Sequence, residues 1–475
     1  MSRSITFDKF DFGLDIRKGL STSDANRLRI LVNAHATEGK TIRKRPGLTK
    51  IATLEAGTTG LSAGNGKLNT FYGTTGTITH ANPLFAAHNV RSPTDPTLGV
   101  TKVHYADIFN GFLYAAVEYT SGEVRHHYLD LEVFDPGQTA IFDQNCPNTT
   151  VVTKIASKIW AVGKTGDTVR FCKTNAPRDW SAVSDAGFLP VGLQQTGASN
   201  ATALGYYQNR LVVFFADSAQ IWHVDVDPAN HLFLQAVDAG STSQYAHANM
   251  AGDVLFLSPA GVRSITRQDI TTNVIDVDVG SPIDRELLKG ISGLFAFDIA
   301  NAKAQYYRGG GQYWLYSGNR VLVYTFSRTT GVMAWSMYTF PFTLDYMDEM
   351  NAVLYIRSGD NVYKVDRNVK TDDGILYPVD IEMAFLDFQS PGILKHIHGM
   401  DVVVTGNCNI AHRFDARSPV LKTDPPVTIS GDSRPGYMIP VELLATNIAP
   451  DIHNNDDQEF ELHALTYYFD TLGIE

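Results

Sequence analysis

Short apolar stretches separated by turn-forming residues run through most of the 475-residue chain. From about residue 60 to residue 370, a turn residue leads into one short apolar stretch, and a cluster of Gly, Ser, Asp or Asn leads into a second. Apolar runs of this length between turn signals indicate β-hairpins. Seven hairpins are predicted, and their first apolar residues are Leu68, Phe112, Ile159, Leu211, Val254, Tyr313 and Val353.

The seven hairpins recur at intervals of 44, 47, 52, 43, 59 and 40 residues. This spacing is typical of a β-propeller, in which each blade covers its apolar faces only by stacking against its neighbours. We therefore predict a propeller of about seven blades over residues 56–370. A series of hairpins folded into sandwiches is the alternative, because the 59-residue interval is uneven and the copies share no sharp consensus.

The 59-residue interval contains the one helix that the sequence predicts. Ser281 can cap this helix, Pro282 suits its first turn, and Gly290 ends it. The acidic residues Asp284 and Glu286 favour its N-terminal end.

The two ends of the chain differ from the repeats. Residues 1–55 are expected to form an arm with little core of its own, with a strand at residues 28–34, where apolar side chains alternate. Residues 371–475 contain longer strands and a polar, turn-rich piece at 429–436. We predict an all-β chain with an arm (1–55), a propeller (56–370) and a C-terminal β-sandwich-like domain (371–475).

Composition supports an all-β fold and limits the choice of partners. Apolar residues make up 44% of the chain and charged residues only 19%, and Tyr and Phe are abundant. The net charge of −11 lacks the basic excess of proteins that grip DNA through its phosphates. Cys146, Cys172 and Cys408 form neither a disulfide framework nor a CxxC metal pair, which fits a reducing site of synthesis. We expect a soluble protein made in a cytoplasm, with no signal peptide and no membrane span.

Candidate catalytic motifs depart from the patterns that their chemistry needs. Ser327–Trp335 approaches the Asp box of sialidase-type propellers, but it lacks the Asp and has one residue too many before the Trp. We interpret it as a strand–turn–strand in which Trp335 packs. Asp276 and Asp278 would share one strand face, where two carboxylates could serve in hydrolysis, but exposed edge charges are the favoured interpretation.

Candidate metal ligands are incomplete. Asp225 and Asp227 resemble the start of a calcium loop, but Ala229 and Asn230 occupy its fifth and sixth positions, so a solvated turn is favoured. His396 and His398 share a strand face but have no third ligand nearby in the sequence.

Two further polar pairs or runs carry no predicted chemistry. His126 and His127 would point to opposite faces of a strand. The basic run Arg43–Arg45 could touch phosphates, but a solvated turn is the usual role of so short a cluster. No catalytic, cofactor-binding or metal-binding residue is therefore predicted, and we expect a non-enzymatic protein without a cofactor.

The order of several segments resembles the nozzle and hub proteins of short-tailed bacteriophages, a family that includes packaged-DNA stabilisation proteins. The resemblance covers roughly residues 5–370 and consists of short, loosely similar strand-and-turn stretches. They are Phe10–Arg17, Ala25–Leu28, Arg43–Leu48, Asn175–Trp180, Tyr206–Phe214, Ile221–Val224 and Gly252–Val262.

The resemblance implies a structural protein of the virion that forms a homohexamer in the tail. Its partners would be a tail adaptor and tail fibre or needle proteins, and its ring would retain the packaged genome and conduct DNA at ejection. We expect the arm or the C-terminal domain to supply the contacts between subunits. The alternatives are a carbohydrate-binding or carbohydrate-cleaving propeller protein of the tail, and a host-surface binding module.

Overall fold

The computed structural model describes residues 3–19, 21–131, 139–195, 200–250, 252–266, 278–327 and 329–474. Nearly all of the regular structure in these ranges is β-strand. Within them, no helix has the length and apolar character needed to cross a membrane. The chain begins with six short strands: β1 (Arg3–Phe7), β2 (Gly13–Leu14), β3 (Arg27–Val32), β4 (Ala34–Ala36), β5 (Ile42–Lys44) and β6 (Gly47–Thr53).

Seven blades of three or four strands follow, and the first three come from the first part of the repeat region. Blade 1 has β7 (Thr59–Gly64), β8 (Lys67–Tyr72) and β9 (Phe85–Asn89); blade 2 has β10 (Val100–Phe109), β11 (Phe112–Tyr119) and β12 (Val124–Asp130); blade 3 has β13 (Val152–Ile155), β14 (Lys158–Val162), β15 (Val169–Phe171) and β16 (Gly187–Leu189).

The other four blades follow in chain order. Blade 4 has β17 (Ala203–Tyr207), β18 (Arg210–Phe214), β19 (Ala219–His223) and β20 (Leu232–Val237); blade 5 has β21 (His247–Met250), β22 (Asp253–Ser258) and β23 (Gly261–Ser264); blade 6 has β24 (Lys303–Tyr307), β25 (Gln312–Ser317), β26 (Arg320–Ser327) and β27 (Val332–Thr339); blade 7 has β28 (Tyr346–Met350), β29 (Val353–Ser358) and β30 (Asn361–Asp366).

The first strands of the seven blades form a closed ring. β7, β10, β13, β17, β21, β24 and β28 contact one another in that order, and β28 contacts β7 again. Separate apolar cores lie between neighbouring blades, as blade stacking requires. The predicted seven-bladed propeller is confirmed, and the seven apolar residues that mark the predicted hairpins all lie on the second strand of their blade.

Blade 7 is completed by the N-terminal part of the chain. β6 pairs antiparallel with β30, from Gly47 opposite Asp366 to Thr53 opposite Asn361. Side chains then fasten this blade to blade 1: the Arg357 guanidinium donates to the carbonyl oxygens of Thr58 and Gly60, at 2.5 and 2.9 Å. The ring is thus closed by residues from distant parts of the sequence.

Two local predictions need correction. The hairpin predicted to begin at Leu68 does not return antiparallel to its first strand: β9 runs parallel to β8 and takes the place beside it. The helix α1 covers only Asp284–Leu287, with Ile283 rather than Ser281 at its N-cap. Asp284 lies inside the protein, where its carboxylate accepts hydrogen bonds from Arg263 (2.6 Å) and the Val262 amide (3.0 Å), so it serves tertiary packing rather than helix capping.

Short 3-10 turns occur at Val191–Gln194, Pro228–Asn230, Gly290–Ser292 and Arg308–Gly310.

The C-terminal residues form a β-sandwich with strands from the start of the chain. The C-terminal strands are β31 (Val379–Met383), β32 (Ile393–Thr405), β33 (Cys408–Arg413), β34 (Val427–Ile429), β35 (Ile439–Ala445), β36 (Ala449–Asn454) and β37 (Glu461–Ile474). One sheet has the order β35-β32-β37-β5-β4, with β1 also paired to β37. The facing strands β3, β31, β36, β33 and β34 continue through β2 into blade 6, which makes one sheet of ten strands.

The segment 1–55, expected as an arm, is therefore shared between the two domains. Phe10, Leu14 and Leu28 are at most 1% exposed and belong to the same core as the sandwich strands. Gly13 pairs with Trp335 of blade 6, and a Cβ atom at residue 13 would lie 2.7 Å from the Trp335 carbonyl oxygen. This close approach lets β2 bridge the propeller and the sandwich.

The basic run Arg43–Arg45 is not the solvated turn that its composition suggests. The Arg45 guanidinium is fully buried and forms a bidentate pair with Asp372, at 2.9 and 2.5 Å. It also stacks on the rings of Tyr377 (3.7 Å) and Phe340 (4.3 Å). We call this cluster, Arg45, Asp372, Phe340 and Tyr377, the joint, because it ties the N-terminal segment, blade 6 and the start of the C-terminal domain together.

Lys44, next to the joint, is also buried. Its ammonium donates to the Asn454 side-chain oxygen (3.0 Å) and to the Asp456 carbonyl oxygen (2.6 Å). Burial lowers the pKa of Lys44 to about 8. Of the three basic residues, only Arg43 is substantially exposed, and it pairs with Glu461 (2.6 Å).

Candidate functional site: the axial channel of the propeller

The ring of inner strands brings residues from all seven blades to one axis. Each inner strand begins at the same face of the propeller, so residues near the strand starts gather at one opening. We call this opening the mouth; it is a cavity of about 710 Å3 between the starts of the inner strands of blades 2 and 6 and the segments before those of blades 3, 4, 5 and 7. A second cavity of about 350 Å3 continues along the axis and is lined by all seven inner strands.

Two lysines line both cavities. Lys102 lies on β10, and its ammonium sits 4.2 Å from the centre of the Tyr245 ring. Lys303 begins β24, donates to the Asp345 carbonyl oxygen (2.6 Å) and lies 5.2 Å from the Tyr346 ring. Burial lowers the pKa of both lysines, and the positive charge of Lys102 lowers that of Lys303 further.

Hydrogen bonds centred on His104 fix the wall of the cavity beside Lys102. His104 is bonded through Nε2 to Glu118 (2.9 Å) and through Nδ1 to the Tyr245 hydroxyl. The Gln244 amide nitrogen lies 3.2 Å from the same Nδ1, and its amide oxygen accepts from Thr150 (2.7 Å). Burial lowers the pKa of His104, so the neutral ring donates through Nε2 and accepts through Nδ1. This arrangement holds Tyr245 in place beneath the Lys102 ammonium.

The other end of the axial cavity is acidic, and we call it the deep end. Asp107 on β10 pairs with Lys154 of blade 3 (2.7 Å), whose ammonium also donates to the Ile108 carbonyl oxygen (2.7 Å). The Tyr105 hydroxyl donates to the Asp107 carboxylate at 3.3 Å. Asp107 and Asp348 both line the cavity, so the axis carries lysines at the mouth and carboxylates at the deep end.

Asp348 also helps to close the ring. Its carboxylate accepts hydrogen bonds from the Ala63 amide of blade 1 (2.6 Å) and from its neighbour Glu349 (2.7 Å). Burial raises its pKa to about 6, against the opposing effect of these two hydrogen bonds, and the negative charge of Asp107 adds to the rise.

Of the residues that the sequence singled out, those that the structure describes lie away from this channel. Trp335 is fully buried on β27, as predicted, and its indole nitrogen donates to the Val279 carbonyl oxygen (2.7 Å). The Asp225 and Asp227 carboxylates accept from backbone amides two residues on, at 2.9 and 3.0 Å, so they stabilise a turn. The interpretation of that segment as a solvated turn is confirmed.

The predicted carboxylate pair at Asp276 and Asp278 can be followed only in part. Asp276 lies outside the described residues. Asp278 is only 7% exposed and lies 3.1 Å from the Arg263 guanidinium, so the expectation of an exposed edge charge is wrong for it. The reason is that Arg263 is itself enclosed and needs carboxylates beside it.

The histidine pairs follow their predicted geometry. His396 and His398 share one face of β32, with ring centres 6.1 Å apart, and their nearest carboxylates are Glu442 (2.7 Å) and Asp470 (3.9 Å). Within the described ranges, no group of three or more His, Cys, Asp or Glu side chains is placed to hold a metal ion.

His126 and His127 are fully buried on opposite sides of β12. Their ring nitrogens bond to Tyr114 (2.8 Å) and Tyr119 (2.6 Å), respectively. Burial lowers the pKa of His126 to about 4 and that of His127 to about 3. The three cysteines are free and buried, as the absence of a disulfide framework in the sequence predicted.

Sequence reasoning missed the axial residues. Lys102, His104, Tyr245, Lys303 and Asp348 are separated by up to 246 positions, and none belongs to a recognisable motif. A usable signal existed: polar or charged residues stand in the segments that precede the predicted hairpins, where a propeller places the strands that line its axis.

Comparison with known proteins gives similar structures but no family. No protein-family model and no curated protein matches the chain. Similar solved structures include BamB from Moraxella catarrhalis, with 11% identity over 68% of this chain and 96% of that one, at a TM-score of 0.34. The Pan2 WD40 domain of Neurospora crassa has 9% identity over 72% of this chain and 96% of that one, at a TM-score of 0.39. Both are β-propellers, and at these identities nothing about activity or partners follows.

Proposed function

We propose that the chain is a structural hub or nozzle subunit of a bacteriophage tail, which forms a ring that retains the packaged genome and conducts DNA at ejection. The observation that carries the proposal is the position of the stretches that resemble this family. They build the connections between the domains and the hairpins of the blades.

The N-terminal stretches lie at the connection between propeller and sandwich. In Phe10–Arg17, Phe10 and Leu14 are buried in the shared core, and Asp15 pairs with Arg17 (2.6 Å) and Arg27. Arg43–Leu48 contains the buried Arg45 of the joint and the start of β6, which completes blade 7. The resemblance therefore falls on residues that fix one domain against the other.

The middle stretches build single blades. Tyr206–Phe214 spans the end of β17 and all of β18 in blade 4, and Gly252–Val262 spans β22 and the start of β23 in blade 5. Trp180, at the end of Asn175–Trp180, is 3% exposed and packs in the core between blades 2 and 3. A resemblance that falls on residues of the framework supports a structural role here.

The continuous ten-stranded sheet suits a part that must transmit force. Blade 6 is hydrogen-bonded through β2 and β3 to the sandwich, so the two domains are joined by backbone as well as by the joint. Relative motion of the domains would break these hydrogen bonds. A stiff, two-domain subunit fits a ring that holds DNA under pressure.

Exposed apolar side chains on the sandwich offer contacts between subunits. Tyr437, Met438, Leu444 and Leu472 are 53–75% exposed, and they lie in or beside the sheet that contains β32, β35 and β37. In a hexamer of the predicted kind, this surface would face a neighbouring subunit or the adaptor. The DNA would pass through the lumen of the ring, since the axial cavity of about 350 Å3 has the size of a small-molecule site.

Purified virions test this proposal. Cryo-electron microscopy of phage particles that encode this chain should place it in the tail in six copies. Its absence from purified virions, or a copy number other than six in the tail, would contradict the proposed ring.

A second test concerns the contact with DNA. Because the chain carries a net charge of −11, we expect no tight binding of labelled duplex DNA even at low salt. Affinity that is high at low salt and collapses as salt rises would indicate a basic grip on phosphates, which a conduit would not use.

A further inference from the structure

The mouth of the axial channel is locally positive in a protein of net negative charge. The charged residues lining it are Lys102, Lys303 and Asp345, a net charge of +1 by 2 − 1, whereas the whole chain carries −11. The Asp345 carboxylate is already engaged, since it accepts from the Gly359 amide at 2.7 Å. The Glu118 carboxylate interacts electrostatically with Lys102, but it is hydrogen-bonded to His104 and does not line either cavity.

Both lysines have bonding capacity to spare. An ammonium can donate three hydrogen bonds. Lys303 donates one, to the Asp345 carbonyl oxygen, and within the described residues Lys102 makes no hydrogen bond or ion pair. Each ammonium is held over a tyrosine ring, so its position is fixed without its donors being used.

The deep end offers the opposite chemistry. Asp107 and Asp348 present carboxylate oxygens to the same cavity, beside the Tyr206 ring and the Asn249 amide of blades 4 and 5. Carboxylates accept hydrogen bonds from hydroxyl groups. A ligand along the axis would meet ammonium donors first and carboxylate acceptors further in.

We propose that the axial channel binds an acidic saccharide, with its carboxylate between Lys102 and Lys303 and its hydroxyl groups directed to Asp107 and Asp348. An acidic sugar combines an anionic group with several hydroxyl donors in one compact molecule, which matches both ends of the cavity. Cavities of about 350 and 710 Å3 lie within the roughly 300–1,000 Å3 range of small-molecule sites. The site does not depend on the proposed place of the protein in a tail.

Isothermal titration calorimetry with the full chain tests the site. The probes are glucuronate oligosaccharide, the matching neutral glucose oligosaccharide and inorganic phosphate. We expect the acidic oligosaccharide to bind at least tenfold more tightly than the neutral one, and phosphate to bind more weakly than the acidic oligosaccharide.

Variants then assign the two ends of the ligand. Lys102→Gln and Lys303→Gln should each weaken binding of the acidic oligosaccharide at least fivefold, and the double variant should abolish it. Lys164→Gln removes the same charge from an exposed turn outside the channel and should bind as the wild type does. Asp348→Asn should weaken the acidic oligosaccharide but leave phosphate unchanged, because phosphate reaches only the lysines.

Several results would overturn the proposal. These are no binding of any probe, equal affinity for the acidic and neutral oligosaccharides, or wild-type affinity in the Lys102 and Lys303 double variant. If phosphate binds as tightly as the acidic oligosaccharide, the channel is a general anion site and the proposed specificity for a saccharide is wrong. Circular dichroism and thermal melting of each variant check that the propeller is folded, and cryo-electron microscopy of tails reports separately on the structural role.

Discussion

Two groups of basic residues in this protein differ in how far their hydrogen-bond donors are used. At the joint, Arg45 is fully buried with every donor directed to a partner: Asn33 (3.0 Å), Asp372, the Thr339 carbonyl oxygen (2.9 Å) and the Pro46 carbonyl oxygen (3.0 Å). At the mouth, Lys102 and Lys303 are only partly enclosed and keep donors free for a ligand.

The contrast teaches where a binding site is to be sought. Three consecutive basic residues attract attention in a sequence, yet two of them are consumed by packing between domains. The two lysines of the mouth are 201 positions apart and inconspicuous, but the ring of blades brings them to one cavity. Spare hydrogen-bonding capacity distinguishes the two groups, and only the folded structure reveals it.

Breaking the joint should have the largest effect on stability. Asp372→Asn leaves the buried Arg45 charge without its bidentate partner, and we expect a loss of about 3–5 kcal/mol in the free energy of unfolding. Urea denaturation measures this loss. The double variant Arg45→Met, Asp372→Leu removes both charges and should recover most of it; a single variant as stable as the wild type would show that the joint is dispensable.

Lys44 extends the comparison to pH. Its folded-state pKa of about 8 lies below the unfolded value of 10.5, so the unfolded chain binds more protons between these limits and stability attributable to Lys44 rises with pH across them. The stability of the wild type relative to Lys44→Met should increase from pH 8 to pH 10.5, by at most about 3 kcal/mol. A difference that stays constant over this range would mean that the buried ammonium keeps an ordinary pKa.

Asp348 in the channel should show the opposite slope. Its folded-state pKa of about 6 lies above the unfolded value of 3.8, so its ionisation costs stability as pH rises from 4 to 6. The stability of Asp348→Asn relative to the wild type should therefore increase over that range, by about 2 kcal/mol, since Asp348 is not fully enclosed. Measuring unfolding at pH 4.5 and pH 7 for both proteins cancels any constant cost of the substitution.

The smallest effect on stability is expected at the mouth. Lys102→Gln and Lys303→Gln remove partly exposed charges that repel each other, so each should change the free energy of unfolding by less than about 1 kcal/mol. The same denaturation experiment measures both variants. A loss comparable to that of Asp372→Asn would make these lysines part of the framework and remove the contrast with the joint.

The sequence by itself determined the repeating part of the fold. Alternation of turn residues and short apolar stretches depends on local backbone preferences and on burial, both of which act within one blade. The second strand of every blade, the seven-fold repeat and the packing of Trp335 were therefore predictable. The antiparallel return of the hairpin predicted to begin at Leu68 was wrong because β9 pairs parallel with β8, a choice that no local pattern signals.

The tertiary structure alone decided the connections and the site. β6 joins β30 across 308 positions between Thr53 and Asn361, and Arg45 finds Asp372 across 327. Such pairings depend on which surfaces the closed ring leaves open, and they have no periodicity along the chain. The axial channel arises in the same way, because side chains from seven separate strands come to line one cavity only when the ring closes.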